Sequence, residues 1–445
     1  MPRDRFRPEP FVIPPGETAP DRTRTGRRPL KGTAPLDQTT PRALRFDPLA
    51  AAREASRAAA GRAGAEDRDG GFPVQDVADL ARLGLLAAPE PRDAGGAGLG
   101  EEPGAGDLCA VLRLVGYGSL ALGRLYEGHV NALQLVARYG APATRARLFA
   151  DARAGHLFGV WNTEPPRGGL ALEHAPDHPR GGYRLQGCKT FASGAGFVTR
   201  AFVTARPPEG EEGGLMLVVD LEPGTRADLS GWRAHGMRAS ATGTLDFAGL
   251  VVDREAIVGG PDDYQRQPHF SGGAWRFAAV QAGGVEAVFD AWRGHLVRTG
   301  RGDDPHQLAR LGEGALAVET ARLWVERAAA IVSRDEFAPE RTIAYVNLAR
   351  TAVERAGTDV LTLAQRSVGL QGFLHGHPLE RAGRDLATYL RQPGPDWALT
   401  MAAGHVLRAG GLAGDLWQDD GRNDDARDRD VRDRDGSAGD AEAAR

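Results

Sequence analysis

Cysteine is scarce in this chain. Cys109 and Cys188 stand alone, far apart and without metal-ligand spacing, which excludes a disulfide scaffold and a structural zinc site. An excess of one charge is also lacking. With 55 Lys and Arg against 59 Asp and Glu, the formal net charge is -4, and nothing demands a nucleic-acid partner. Long hydrophobic runs are missing too: no stretch approaches the ~20 apolar residues of a membrane-spanning helix, and the charged N-terminal residues contain no apolar signal core. A soluble cytoplasmic protein without a transmembrane segment is expected. The 445 residues are enough for about three domains of ordinary size, each able to bury a core without covalent staples.

What is present changes character along the chain. Residues 1–44 are rich in Pro, Arg and Thr, cannot keep an apolar face, and read as an extended or disordered arm. Residues 45–155 read as a helical domain. Val74, Val77, Leu80 and Leu83 share a helical face that Gly84 ends, and longer Ala- and Gly-rich helices follow over 108–117 and 119–139. The Gly-rich run at 94–100 does not match phosphate-loop spacing and reads as a linker. Over 156–262 short β-branched runs broken at Gly and Pro take over, at 157–161, 183–186, 201–205, 215–219 and 242–247. Helical spacing returns over 263–414, with lengths that suit an antiparallel bundle. Residues 415–445 alternate Asp and Arg with almost no apolar content; they read as a disordered charged tail, because the ligand order of a calcium loop is absent. The fold class is therefore α+β: an N-terminal helical domain, a middle antiparallel β domain and a C-terminal helical bundle.

Polar residues cluster where the middle strands end. Thr163-Glu164-Pro165 follows the strand that closes on Trp161, and Gly187-Cys188-Lys189-Thr190-Phe191-Ala192-Ser193 contains the next turn. Such ends offer hydrogen-bonding groups and an aromatic wall, which is what a flavin ring needs. Further on come Gly236-Met237-Arg238-Ala239-Ser240, Arg298-Thr299-Gly300-Arg301-Gly302, Gln365-Arg366-Ser367-Val368-Gly369 and Pro378-Leu379-Glu380-Arg381-Ala382-Gly383-Arg384-Asp385. In this order, over most of residues 75–410, they resemble the acyl-CoA dehydrogenase family. The resemblance implies FAD as cofactor, with Trp161, Thr163, Phe191 and Ser193 at the flavin ring. It implies Arg298, Arg301 and Arg366 at the phosphates or adenine half across a subunit boundary, and hence a homodimer or homotetramer. It also implies Arg238 and Ser240 at an acyl-thioester substrate, and an electron-transfer flavoprotein as oxidant. Local packing and helix-end hydrogen bonds are the alternative roles for each of these residues.

The family's chemistry needs a carboxylate within hydrogen-bond reach to remove a proton. Its common position falls at or beside Pro393, and the alternative position at Trp275; neither side chain can act as that base. Asp396 is the nearest acid and is the candidate displaced base, although a helix cap before Trp397 explains it as well. The leading expectation is an FAD-dependent, acyl-CoA dehydrogenase-like oxidoreductase. Two alternatives remain: a related flavin monooxygenase, which needs no such base and could use His375 or His377, and a flavin- or acyl-ligand-binding protein without turnover.

Overall fold

The structure is a computed structural model that describes residues 46–418 apart from 103 and 180. The expected N-terminal arm, and all but residues 415–418 of the expected tail, lie outside the described residues. Helices α1 (Pro48–Glu66), α2 (Val74–Arg82), α3 (Ala105–Gly118), α4 (Leu120–Tyr139) and α5 (Pro142–Arg153) come first. Their starts follow from local chemistry. Asp47 accepts from the Leu49 and Ala50 amides ahead of α1, and Ser119 accepts from Leu122 N ahead of α4, so donors that lack an intrahelical partner are satisfied.

Strands β1 (Phe158–Trp161), β2 (Ala171–His174), β3 (Gly182–Gln186), β4 (Cys188–Ala192), β5 (Arg200–Ala205), β6 (Leu215–Asp220), β7 (Ala227–Asp228), β8 (Gly243–Asp246), β9 (Val251–Asp253) and β10 (Ile257–Val258) follow. They form three small sheets, ordered β1-β5-β6-β10, β2-β3-β9 and β4-β8-β7. Pairing is antiparallel except between β1 and β5, which run parallel. Three intervening strands supply the long crossover that a parallel pair requires, a feature that the alternation of each short strand does not encode. The register sets Trp161 opposite Val203, so the apolar ends of β1 and β5 meet in the core.

Helices α6 (His269–Gly272), α7 (Trp275–Arg298), α8 (Pro305–Arg334), α9 (Pro339–Val368), α10 (Pro378–Tyr389) and α11 (Pro395–Arg408) complete the fold. The two helical regions share a core with the sheets through α7, whose Ala278, Ala279, Val280 and Ala282 are buried. Gly116 on α3 faces the Val280 carbonyl and Gly283 on α7 faces the Arg113 carbonyl, and either position would drive a Cβ into backbone. Residues 415–418 lie against α9, where Arg341 donates to the Leu416 carbonyl at 2.8 Å and the Asp415 carbonyl at 3.1 Å. Among the described residues no helix is long and apolar enough to cross a membrane.

Candidate active site

A cavity of about 920 Å³ opens where α4, the end of β1, the start of α7, α9 and the loop before α11 converge. Pro393 and Trp275, the two positions where the resemblance implies a proton-abstracting carboxylate, both line it. So do Asn131, Asn162, Arg276 and Trp397. The acids on its wall are all engaged. Glu127 is buried and accepts from Arg124 at 2.6 Å and from the Asn131 amide. Asp93 and Glu101 are paired with Arg145 at 3.5 Å and Arg92 at 3.9 Å. Asp396 is exposed in the first turn of α11 and does not line the cavity, which its neighbours Gln392, Pro393 and Trp397 do. The turn of α11 sets the neighbouring Trp397, 58% exposed, on the cavity's lining, and not the carboxylate.

The flavin-side positions fall together at the strand ends beside this cavity. Trp161 is buried, and its indole Nε1 donates to the Ser193 carbonyl at 3.0 Å, which ties the end of β1 to the turn after β4. The Thr163 carbonyl accepts from Thr190 N at 3.0 Å, while the Thr163 side chain is exposed. Phe191 is 65% exposed, and its φ of 51° puts an aromatic residue in the left-handed region. That conformation is costly for a bulky side chain and recurs where a ligand is held. The Phe191 ring stands edge-on to Trp232, 6.3 Å between centroids. Ser193 Oγ accepts from Thr242 Oγ1 at 3.2 Å.

The residue that sequence reasoning passed over is Lys189. Its side chain is wholly buried, and Nζ donates to Glu164 Oε1 at 2.7 Å, Thr204 Oγ1 at 3.1 Å and the Asn162 carbonyl at 3.4 Å. Burial pushes the Lys189 pKa down, and the hydrogen bond that Nζ donates to Glu164 works against that push. One ammonium thus fastens three polar groups around the 162–164 segment. The signal was available: apart from Lys31, Lys189 is the chain's lysine, among many arginines, and it alternates inward on β4.

The other expected ligand residues stand apart from this cavity. Arg238 donates to Asp69 at 2.8 Å and lies 3.6 Å from Asp67. Ser240 is buried; its hydroxyl bonds the Met237 carbonyl and Thr242 Oγ1, each at 2.7 Å. Both hold the 237–242 turn against the segment after α1, and neither lines the cavity. Arg298 and Arg366 are exposed at the ends of α7 and α9, and Arg301 donates to the Ser367 carbonyl at 3.0 Å. At about 1.5 Å per residue, the 24 residues of α7 put Arg298 roughly 35 Å from Trp275. The acids of the Pro378 segment are structural: Arg384 bridges Glu380 at 2.7 Å and Asp67 at 2.5 Å, and Asp385 accepts from Met237 N at 2.7 Å.

Comparison with known proteins agrees with this architecture. Residues 49–156 match the acyl-CoA dehydrogenase N-terminal domain and residues 260–396 match the acyl-CoA dehydrogenase C-terminal domain. The chain's fold and sequence profile are related to the acyl-CoA dehydrogenase superfamily. A glutaryl-CoA dehydrogenase of Desulfococcus multivorans is 26% identical over 340 residues, 73% of this chain and 85% of the relative, but most of the relatives are named for another chemistry. A dibenzothiophene monooxygenase of Mycolicibacterium goodii is 28% identical over 233 residues, 51% of this chain and 55% of that protein, so this match spans only about half of the relative. The amino sugar nitrososynthase DnmZ of Streptomyces peucetius is 28% identical over 344 residues, 72% of this chain and 82% of the relative. The FMN-bound structure of TdsC from Paenibacillus sp. A11-2 superposes with a TM-score of 0.71 at 18% identity, over 83% of this chain and 100% of that one. Two expectations are corrected by these findings. FAD gives way, because the flavin in the solved relatives is FMN. The acyl-thioester substrate and the electron-transfer flavoprotein give way as well, because most of the relatives are named for an aromatic sulfur compound or an amino sugar. The physical reason for the second correction is on the cavity wall, where no carboxylate stands free to take an α-proton.

Proposed function

We propose that this protein is a flavin-dependent monooxygenase that uses reduced FMN and dioxygen to insert one oxygen atom into a small substrate held in the cavity. The observation that carries the reading is the pair Pro393 and Trp275: the cavity keeps the superfamily's position but has no proton-accepting group at either place. The strand ends fit a flavin ring, with the exposed Phe191 as an aromatic wall and the Thr163 and Asn162 side chains at an edge. When bound, reduced FMN supplies the two electrons that activate oxygen; one oxygen atom enters the substrate and the other leaves as water. The chain's own residues position and shield. Lys189 holds the 162–164 segment, and the buried Trp275 and the exposed Trp397 supply aromatic surface to the cavity.

The test is isotopic. Purified protein receives FMN, a separate NADH-driven flavin reductase and ¹⁸O-labelled dioxygen, with indole and dibenzothiophene as probes. One labelled oxygen per product molecule is expected, together with tighter binding of FMN than of FAD. Failure to bind FMN, or reoxidation of reduced flavin that labels no probe, would sink the reading.

A further inference from the structure

Three arginines line the same cavity without an ion-pair partner among the described residues. Arg276 donates Nε to Asn131 Oδ1, Arg138 contacts His269 Nε2 at 3.0 Å, and Arg350 donates to the Pro393 carbonyl at 2.8 Å. All three acceptors are neutral. The counter-charge that acts on Arg276, Glu127, is taken by Arg124 and by Asn131, and the one that acts on Arg350, Glu354, is paired with Arg391 at 2.9 Å. Positive charge without a paired carboxylate thus gathers on the cavity wall, with Arg276 and Arg350 half-buried and Arg138 exposed at the rim, an arrangement that suits an anionic ligand. Burial holds the Arg276 pKa down at about 10, and Arg138 is close enough to add to the depression.

A second, independent feature has the same sense. Trp275 Nε1 and Asn347 Nδ2 are donors on residues only 3% and 2% exposed, both on the cavity wall, and neither finds a hydrogen-bond acceptor among the described residues. Buried donors are nearly always paired, so two orphans on residues of one cavity wall mark donors that a small rearrangement would offer to a ligand's acceptors. Gly273 is part of this construction, since a Cβ there would press on the Arg276 guanidinium.

We propose that the substrate carries an oxyanion, a carboxylate or a sulfur or phosphorus oxyanion, received by Arg276 with Arg138 and Arg350 and completed by the Trp275 and Asn347 donors. The word substrate rests on the oxygenase reading; the anion receptor itself does not. A guanidinium offers five N–H donors in a planar fork suited to two oxygens, and among the described residues Arg276 donates only from Nε. The apolar faces of Trp275, Phe277 and Trp397 leave room for a hydrophobic body behind the charged end. The same receptor chemistry could instead serve the phosphate of FMN, and the experiment separates the two sources.

Calorimetric titration of apo- and FMN-loaded protein with benzoate, benzenesulfinate and the neutral isostere benzamide tests the proposal. The anions are expected to bind roughly tenfold or more tighter than benzamide, as charge-assisted bonds imply, and to weaken with added salt. R276Q should abolish that preference, and R138Q and R350Q should each reduce it; these two keep the comparison intact if R276Q does not fold. Anions that bind no tighter than benzamide would overturn the proposal. So would variants that lose FMN affinity while keeping riboflavin affinity, because the arginines would then be holding the flavin phosphate. Anion binding in a protein that takes no FMN would refute the oxygenase reading and leave the anion receptor standing.

Discussion

Lys189 and Phe191 sit two residues apart on β4 and serve the same strand end in opposite ways. Lys189 is buried and bonded to Glu164, so Lys189→Met removes a cation and leaves the 162–164 segment without its fastening. Losing a buried charge-assisted bond costs about 1–3 kcal/mol, and thermal unfolding should register that drop together with weaker FMN binding in a fluorescence titration. Phe191 is exposed with φ 51°, a conformation that glycine adopts freely. Phe191→Gly trades relief of strain against a more flexible unfolded chain. Its stability should therefore stay within about 1 kcal/mol of the parent, while FMN affinity falls severalfold for want of the aromatic wall. A large stability loss with unchanged FMN binding would show that the ring serves packing instead.

At the scale of elements, the contact between α3 and α7 holds the helix whose first turn lines the cavity. Gly116 and Gly283 let the two backbones approach until a carbonyl lies where a Cβ would stand. Gly283→Ala must push α7 away from α3, and overpacking of this kind costs about 1–3 kcal/mol. Because α7 also carries Trp275 and Arg276, the displacement should be felt in the cavity. The expected outcome is a lower midpoint in urea and weaker benzoate binding in the same variant. Retention of both would mean that the interface can relax without moving the start of α7. An exposed glycine with open space around it, Gly312 on α8, is the control: Gly312→Ala should be neutral or slightly stabilising in the same urea experiment.

Across the whole molecule, His129 links the helical domain to the sheet. Its Nε2 contacts the Leu86 carbonyl at 2.7 Å and its Nδ1 accepts from Phe158 N at 3.1 Å, so the neutral tautomer with the proton on Nε2 joins α4, the segment after α2, and β1. Burial pushes its pKa down from 6.5 to about 4. The sign follows directly. The unfolded chain takes up a proton near pH 6.5 and the folded chain only near pH 4, so the contribution is complete above pH 6.5 and is lost progressively as pH falls towards 4. A shift of this size corresponds to about 3 kcal/mol. Stability measured by urea unfolding should decline from pH 6.5 to pH 4 in the parent, and that part of the slope should be missing in a folded His129→Gln variant.

The sequence by itself determined the order of helical, β and helical regions, because the period of apolar residues changes from helical spacing to short broken runs and back. It also determined that the two positions where the resemblance implies a base carry Pro393 and Trp275, neither of which accepts a proton. It could not determine which charged residues are free. Arg238, conspicuous in its motif, is consumed by Asp67 and Asp69, whereas Arg276, an ordinary helical arginine in the sequence, faces a cavity with only a neutral acceptor. Asp396 and Trp397 are neighbours, and only the turn of α11 decides that the indole lines the cavity and the acid does not. Pairing and burial depend on residues brought together from helices and strands far apart in the chain. The one-dimensional pattern records which side chains exist; the packing of α4, α7 and α9 around β1 decides which of them still have a hydrogen bond to give.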